Sequence, residues 1–165
     1  MQFRLTHKIC KRIGEQSLGS PDDEVSPFLD WAADHFTVGG YRFVIIVNRA
    51  SVLSWVFPGK GINCSSDFIR DASSAIRNCL HEYGFSFHFD RIIVPELSVV
   101  SLRKVGDRNM TGIMMDLVKH AKFYLSEFDD SCHELSLRLN QIPQCSRKEA
   151  FPVKAFAGLP IQQPH

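Results

Sequence analysis

The sequence predicts an α+β fold in which an antiparallel sheet of about five strands carries two main helices on one face. Two observations point to it: residues 36–57 are rich in β-forming residues around a Gly-Gly pair, and residues 67–83 and 109–126 have apolar side chains at helical spacing. A sheet and amphipathic helices of this kind bury their apolar faces against one another. The 165 residues, of which 44% are apolar, suffice for one domain. We expect that domain over residues 1–145 and an extended C-terminal tail over residues 146–165.

The first 26 residues predict a short strand, a short helix and a loop. Gln2 to Leu5 form a strand candidate, and Thr6 offers an N-cap for a helix that Gly14 ends. Residues 15–26 combine Ser, Gly and Pro with three consecutive acids, a composition typical of an exposed loop.

Residues 36–57 predict a three-stranded antiparallel meander. Gly39 and Gly40 permit positive φ at both central positions of a type I′ turn, so the flanking β-rich runs form a hairpin. A second turn over residues 48–50 leads to a third strand that ends before Pro58. The middle strand is apolar on both faces over residues 43–47, which places it at the centre of the sheet or under cover on both sides.

Residues 67–105 predict one helix followed by two strand candidates. The helix over residues 67–83 is closed by Gly84, after which Phe85, Phe87 and Phe89 alternate with polar residues as in a strand, although residues 85–94 also fit a helical turn. Residues 97–105 are again β-rich.

The helix over residues 109–126 has the strongest apolar period in the chain. Ser131 followed by Glu134 is a capping box for a last helix, which Pro143 ends.

Composition argues against several classes of protein. Nineteen basic against eighteen acidic residues give a net charge of +1, so nucleic-acid binding has no support from charge. The five cysteines form no C-x-x-C pair, and the histidines lack metal-ligand spacing, so we expect neither a metal nor a cofactor. There is no apolar signal segment and no run long enough to cross a membrane. We therefore expect a cytoplasmic protein with reduced thiols.

The polar residues that suggest a binding site most strongly lie at the start of the helix predicted over residues 109–126. Asp107, Arg108 and Asn109 stand at its start, and Asp116 follows on its polar side. Backbone N–H groups at a helix start attract anions, and an arginine adds a fork that suits carboxylate or phosphate. The alternative is that Asp107 or Asn109 is a helix cap while Arg108 and Asp116 are solvated.

The chain carries LTHK at residues 5–8, DWAA at 30–33, FTV at 36–38, VIIVN at 44–48 and WVFPG at 55–59. In this order the segments resemble those of a widespread bacterial family of unknown function. Residues 108–117, RNMTGIMMDL, are similar to that family's NRSVLGSMNDL segment, and residues 139–143, LNQIP, to its LNRIPM ending. Met115 stands where the family has Asn, and Gln144 where it has Met. The resemblance spans residues 2–145 and implies one complete bacterial domain, with attention drawn to five matching residues: Trp31, Arg108, Asn109, Asp116 and Asn140.

Three functions follow from these residues. The first is a non-enzymatic binding or regulatory module of an accessory bacterial gene, with an unknown ligand or protein partner at Arg108 and Asn109 and with Trp31 nearby. The second is a small hydrolase or toxin-like ribonuclease that uses Arg108, Asp116 and a histidine such as His120. The third is a structural protein that self-associates, for example as a homodimer, through an exposed edge of the meander.

Overall fold

The fold is α+β, with one five-stranded sheet between two layers of helices. The computed structural model describes residues 1–161. Its strands are β1 (Gln2–Leu5), β2 (Asp30–Val38), β3 (Tyr41–Asn48), β4 (Ser54–Pro58) and β5 (Ser101–Lys104). Its helices are α1 (His7–Ile13), α2 (Ser65–Glu82), α3 (Ser86–His88), α4 (Arg108–Phe128), α5 (Cys132–Leu139) and α6 (Pro152–Ala157).

The sheet is mixed, so the prediction of a purely antiparallel sheet was wrong. The strand order is β4-β3-β2-β1-β5, and β1 runs parallel to both of its neighbours, β2 and β5. Between β1 and β2 the chain forms α1 and a loop, and parallel neighbours need a crossover of this kind. The meander β2-β3-β4 is antiparallel as predicted, and its first turn contains Gly39 and Gly40 at φ 58° and 82°.

The two main helices pack on opposite faces of the sheet, which corrects the prediction that both lie on one face. Ala33 on β2 belongs to a core that contains Phe68 and Ile76 of α2. Its neighbour Ala32 belongs to a second core that contains Met110 and Leu117 of α4. Successive strand residues point to opposite faces, so these contacts place one helix layer on each side.

The chain beyond residue 145 is not fully extended, because α6 forms within it. Phe156 on α6 is completely buried and lies edge-on to Phe28, with ring centroids 5.4 Å apart. This helix therefore completes the core on the α2 side. Residues 162–165 of the expected tail lie outside the described residues.

The segment after α2 is helical, so the strand expected over Phe85 to Phe89 does not form. Helix α3 is followed by a π-helical turn, Phe89–Ile93, and a 3₁₀ turn, Val94–Glu96. Phe89 and Ile93 are buried whereas Phe87 is 64% exposed. The buried apolar residues Phe89 and Ile93 are thus four residues apart, as in a helix. The alternation of apolar and polar residues with period two wrongly predicted a strand.

The outer edge of the meander is covered by α5. The Ser136 hydroxyl accepts a hydrogen bond from Val56 N at 2.9 Å, and the Asn140 side chain bonds both Ser54 N at 2.9 Å and Ser54 O at 2.8 Å. Two backbone positions of β4 that an edge strand would offer to a second copy are thus occupied. The premise of an exposed meander edge was wrong.

Candidate functional site

A cleft of about 520 Å³ runs along α4, and it contains three of the five residues expected at the site. Arg108, Asn109 and Asp116 all line it. His120, the histidine of the hydrolase hypothesis, lines it as well. The prediction that Arg108, Asn109 and Asp116 belong together therefore agrees with their placement in the fold.

The spacing of these residues along the helix explains why they lie on the same side of the cleft. Arg108, Gly112, Asp116 and His120 follow one another at intervals of four residues, so they form one slanted row on the helix surface. An α-helix rises about 1.5 Å per residue, so Arg108 and Asp116 stand about 12 Å apart along its axis. The position between them is Gly112, where an added Cβ would meet no atom within 4 Å. Open space therefore lies over Gly112 at the cleft floor.

The start of α4 is capped by Asp107, which leaves its neighbours free. The Asp107 carboxylate accepts hydrogen bonds from Asn109 N at 2.9 Å and Met110 N at 3.3 Å, as the alternative of a simple cap predicted. Within residues 1–161, the side chains of Arg108, Asn109 and Asp116 make no hydrogen bond or ion pair. All three are exposed, so their polar groups are available to a molecule in the cleft.

The opposite wall of the cleft is the turn over residues 142–146, which comes from after α5. Gln144 N donates to Ala150 O at 2.7 Å, and Arg147 Nη1 donates to Ala50 O at 2.7 Å, so the turn is fixed at both ends. Burial, together with the nearby Arg49 cation, lowers the pKa of Arg147. This wall was not identified in the sequence, since nothing local in residues 142–146 indicates that they face α4.

Arg49 connects Asp107, the cap of α4, to two other acidic residues, Asp23 and Asp30. Its guanidinium lies 3.6 Å from Asp107, 3.6 Å from Asp23 and 3.8 Å from Asp30. Asp30 in turn receives two hydrogen bonds from the buried Arg4, from Nε at 2.8 Å and Nη2 at 2.9 Å. The start of α4 is therefore held by a network of charges that continues into the core.

Arg4 is the centre of that network, and the sequence did not single it out. It is 1% exposed, and it also bonds Asp23 at 2.9 Å and Val105 O at 3.2 Å. Burial alone would lower the pKa of Arg4, but its hydrogen bonds to Asp30 and Asp23 outweigh that effect and raise it. The hydrogen bond from Arg4 likewise lowers the pKa of Asp23. The loop over residues 15–26, predicted to be exposed, is thus held to the sheet at Asp23 by its hydrogen bond from Arg4.

Trp31 and Asn140 lie away from the cleft. Trp31 is completely buried on the α2 side of the sheet, and its indole N–H donates to Phe28 O at 2.9 Å. Asn140 is buried and bonds β4, and its Nδ2 also donates to the Tyr83 hydroxyl at 3.1 Å. Both residues have structural roles here, as an aromatic anchor and as the bridge between α5 and the sheet edge.

The structure offers little for metal binding or membrane insertion. Among residues 1–161, no three His, Cys, Asp or Glu side chains gather closely enough to hold a metal ion. In the same part of the chain, every helix is too short or too polar to cross a bilayer.

Comparison with known families gives one identification. The model of a family described as Domain of unknown function (DUF6933) matches residues 2–155, which confirms the inference that the chain resembles a family of unknown function. The match continues past residue 145 into α6. No curated protein matches the chain.

Proposed function

The chain belongs to the family described as Domain of unknown function (DUF6933), and we propose that it acts as a non-enzymatic binding module whose site is the α4 cleft. The ligand is a small polar molecule that carries an acidic group and a hydrogen-bond donor. The acidic group binds Arg108, and the donor binds Asp116.

The observation that carries this proposal is the row of free polar side chains around a glycine. A glycine inside a helix costs about 0.5–1 kcal/mol relative to alanine. Packing does not require the glycine at position 112, since a Cβ there meets no atom within 4 Å. Space for a ligand between Arg108 and Asp116 gives a reason for it. The volume of about 520 Å³ lies within the usual range of small-molecule sites.

Native mass spectrometry of protein purified gently from the producing cells tests the proposal. We expect a retained molecule of defined mass on the wild type, and its loss from Arg108→Ala and Asp116→Ala at an unchanged Tm. Lys122→Ala is the matched control, since this lysine is an exposed residue of α4 that does not line the cleft. A molecule retained equally by all variants would contradict the assignment, and so would a wild type that carries nothing.

A hydrolase or ribonuclease is the second candidate, because its three residues line the same cleft. Asp116 and His120 are four residues apart on one helix face, where side chains are neighbours, and Arg108 would hold a phosphate. Activity on an RNA oligonucleotide that disappears in both Arg108→Ala and His120→Ala, with Tm unchanged, would favour it. Activity that survives either change removes these residues from consideration.

We also propose that the protein is cytoplasmic. All five cysteines are free thiols, which is the usual state in a reducing compartment. Two of them, Cys64 and Cys145, are exposed, where an oxidising environment would put them at risk.

A further inference from the structure

A second cavity lies between α1, the loop after it and the end of β5, and it is separate from the α4 cleft. Its volume is about 700 Å³. Its lining shares no residue with the first cleft, although Thr111 on the first turns of α4 borders it.

The interior of this second cavity is apolar. Leu5 and Val105 are 2% and 7% exposed, and the half-buried Leu18 and Cys10 complete the lining. Burial, together with the charge of Glu15, raises the pKa of the Cys10 thiol, which therefore remains neutral at pH 7. A neutral thiol behaves as a small apolar group, so it continues the apolar wall.

The rim of the cavity is basic. Lys11 and Lys104 are exposed residues of the lining, and in residues 1–161 neither ammonium group makes a hydrogen bond or an ion pair. The one acid of the lining, Glu15, already accepts a hydrogen bond from the Ser65 hydroxyl. An anion at this rim would therefore meet two unpaired cations against the single negative charge of Glu15, so the rim is positive on balance.

The loop that closes the cavity is held at both ends. Glu15 N donates to Cys10 O at 3.0 Å, and Gly19 O accepts from Lys104 N at 3.0 Å. Between these two points, Ser17 has φ 58°, a left-handed conformation that residues other than glycine rarely adopt. The loop is thus held in a strained backbone conformation beside the apolar interior. Backbone strain of this kind is common at ligand sites.

We propose that this cavity binds a small apolar carboxylate of the medium-chain fatty acid type. The carboxylate lies at the rim with Lys11 and Lys104, and the hydrocarbon chain fills the interior formed by Leu5, Leu18 and Val105. Charge complementarity selects this ligand, because an uncharged apolar molecule would leave both ammonium groups unpaired.

The test uses decanoate as the probe and Cys10 as the reporter. At a free decanoate concentration ten times its Kd, about one protein in eleven is unoccupied, so alkylation of Cys10 by N-ethylmaleimide slows about tenfold. Peptide mapping by mass spectrometry follows Cys10, while the exposed Cys64, which does not line the cavity, reacts at an unchanged rate in the same sample. For a ligand of this size we expect a Kd of about 0.1–1 mM.

Two comparisons test the role of charge. Lys11→Gln combined with Lys104→Gln raises the Kd of decanoate about tenfold or more, whereas Lys122→Gln leaves it unchanged. On the wild type, 1-decanol protects Cys10 at least tenfold less well than decanoate. Absence of saturable decanoate binding, binding that leaves Cys10 unprotected, or equal protection by decanol would each overturn the proposal. All of these outcomes are independent of whether the α4 cleft holds a ligand.

Discussion

Gly112→Ala separates the stability of α4 from the binding proposed for its cleft. Replacing a glycine inside a helix by alanine stabilises the folded state by about 0.5–1 kcal/mol, provided that the new methyl group has room. It has room here, because no atom lies within 4 Å of the added Cβ. For a protein of this size, 1 kcal/mol corresponds to a Tm change of about 2–4 °C. We therefore expect Tm to rise by about 1–4 °C, as measured by differential scanning calorimetry.

The same methyl group projects into the cleft between Arg108 and Asp116, so it should weaken or abolish retention of the bound molecule in native mass spectrometry. Ser74→Ala is the control: Ser74 is exposed on α2, and alanine also raises helix propensity there without altering the cleft. We expect a smaller rise in Tm and full retention. A fall in Tm for Gly112→Ala would show that the cleft floor is not open. A raised Tm with undiminished retention would refute the assignment of the site to this cleft.

Three further substitutions test the buried charges and the close contacts around the sheet. Asp30→Ala leaves the Arg4 guanidinium buried without its main partner, so the free energy of unfolding in urea should fall by about 3–5 kcal/mol; a loss below about 1 kcal/mol would contradict the network. Gly106→Ala places a Cβ 2.8 Å from the Pro21 ring at φ +63°, so Tm should fall by several degrees, and an unchanged Tm would argue against this close approach. Burial lowers the pKa of His35 below 6.5, so the folded state favours the neutral ring: stability is complete above pH 6.5 and declines as pH falls through the window below it. His35→Gln should flatten that decline between about pH 7 and 5.5 in urea titrations at several pH values, and an unaltered slope would assign it to other groups.

Local signals predicted most of the elements correctly. The Gly39-Gly40 pair gives the hairpin, since both residues have positive φ as a type I′ turn requires. Ser131 and Glu134 form the expected capping box. These features depend on residues that are close together in the chain, so a sequence pattern is enough to read them.

Strand direction and helix layers depend on contacts between distant residues. Four residues of β1 do not reveal which way the strand runs in the sheet. The signal that was available is α1, which lies between β1 and β2 as the helix of a parallel crossover does. Likewise, the apolar run over residues 43–47 on both faces of β3 indicated cover from both sides, which α2 and α4 provide.

The candidate site was predictable only where it lies on one helix. Arg108, Asn109 and Asp116 share a face of α4, so helical spacing alone brings them together. Trp31 and Asn140 were expected at the site from the resemblance alone, but both are buried and hold the fold together. A motif match does not distinguish a residue that binds from one that packs.

The position of α4 connects the two proposed sites. Its first turns separate the cavities, with Thr111 bordering one and Arg108 and Gly112 lining the other. That end of the helix is fixed by the Asp107 cap, to which Arg49 and the buried Arg4 network connect it. Asp107 already accepts hydrogen bonds from the backbone N–H groups of Asn109 and Met110 at the helix start. Arg108 should therefore contribute no more to the stability of the helix than a neutral residue would. Arg108→Gln should accordingly leave the free energy of unfolding within about 0.5 kcal/mol of the wild type, as expected for an exposed residue without partners. A larger loss of stability would mean that Arg108 supports the fold, and it would remove the main reason for placing a ligand beside it.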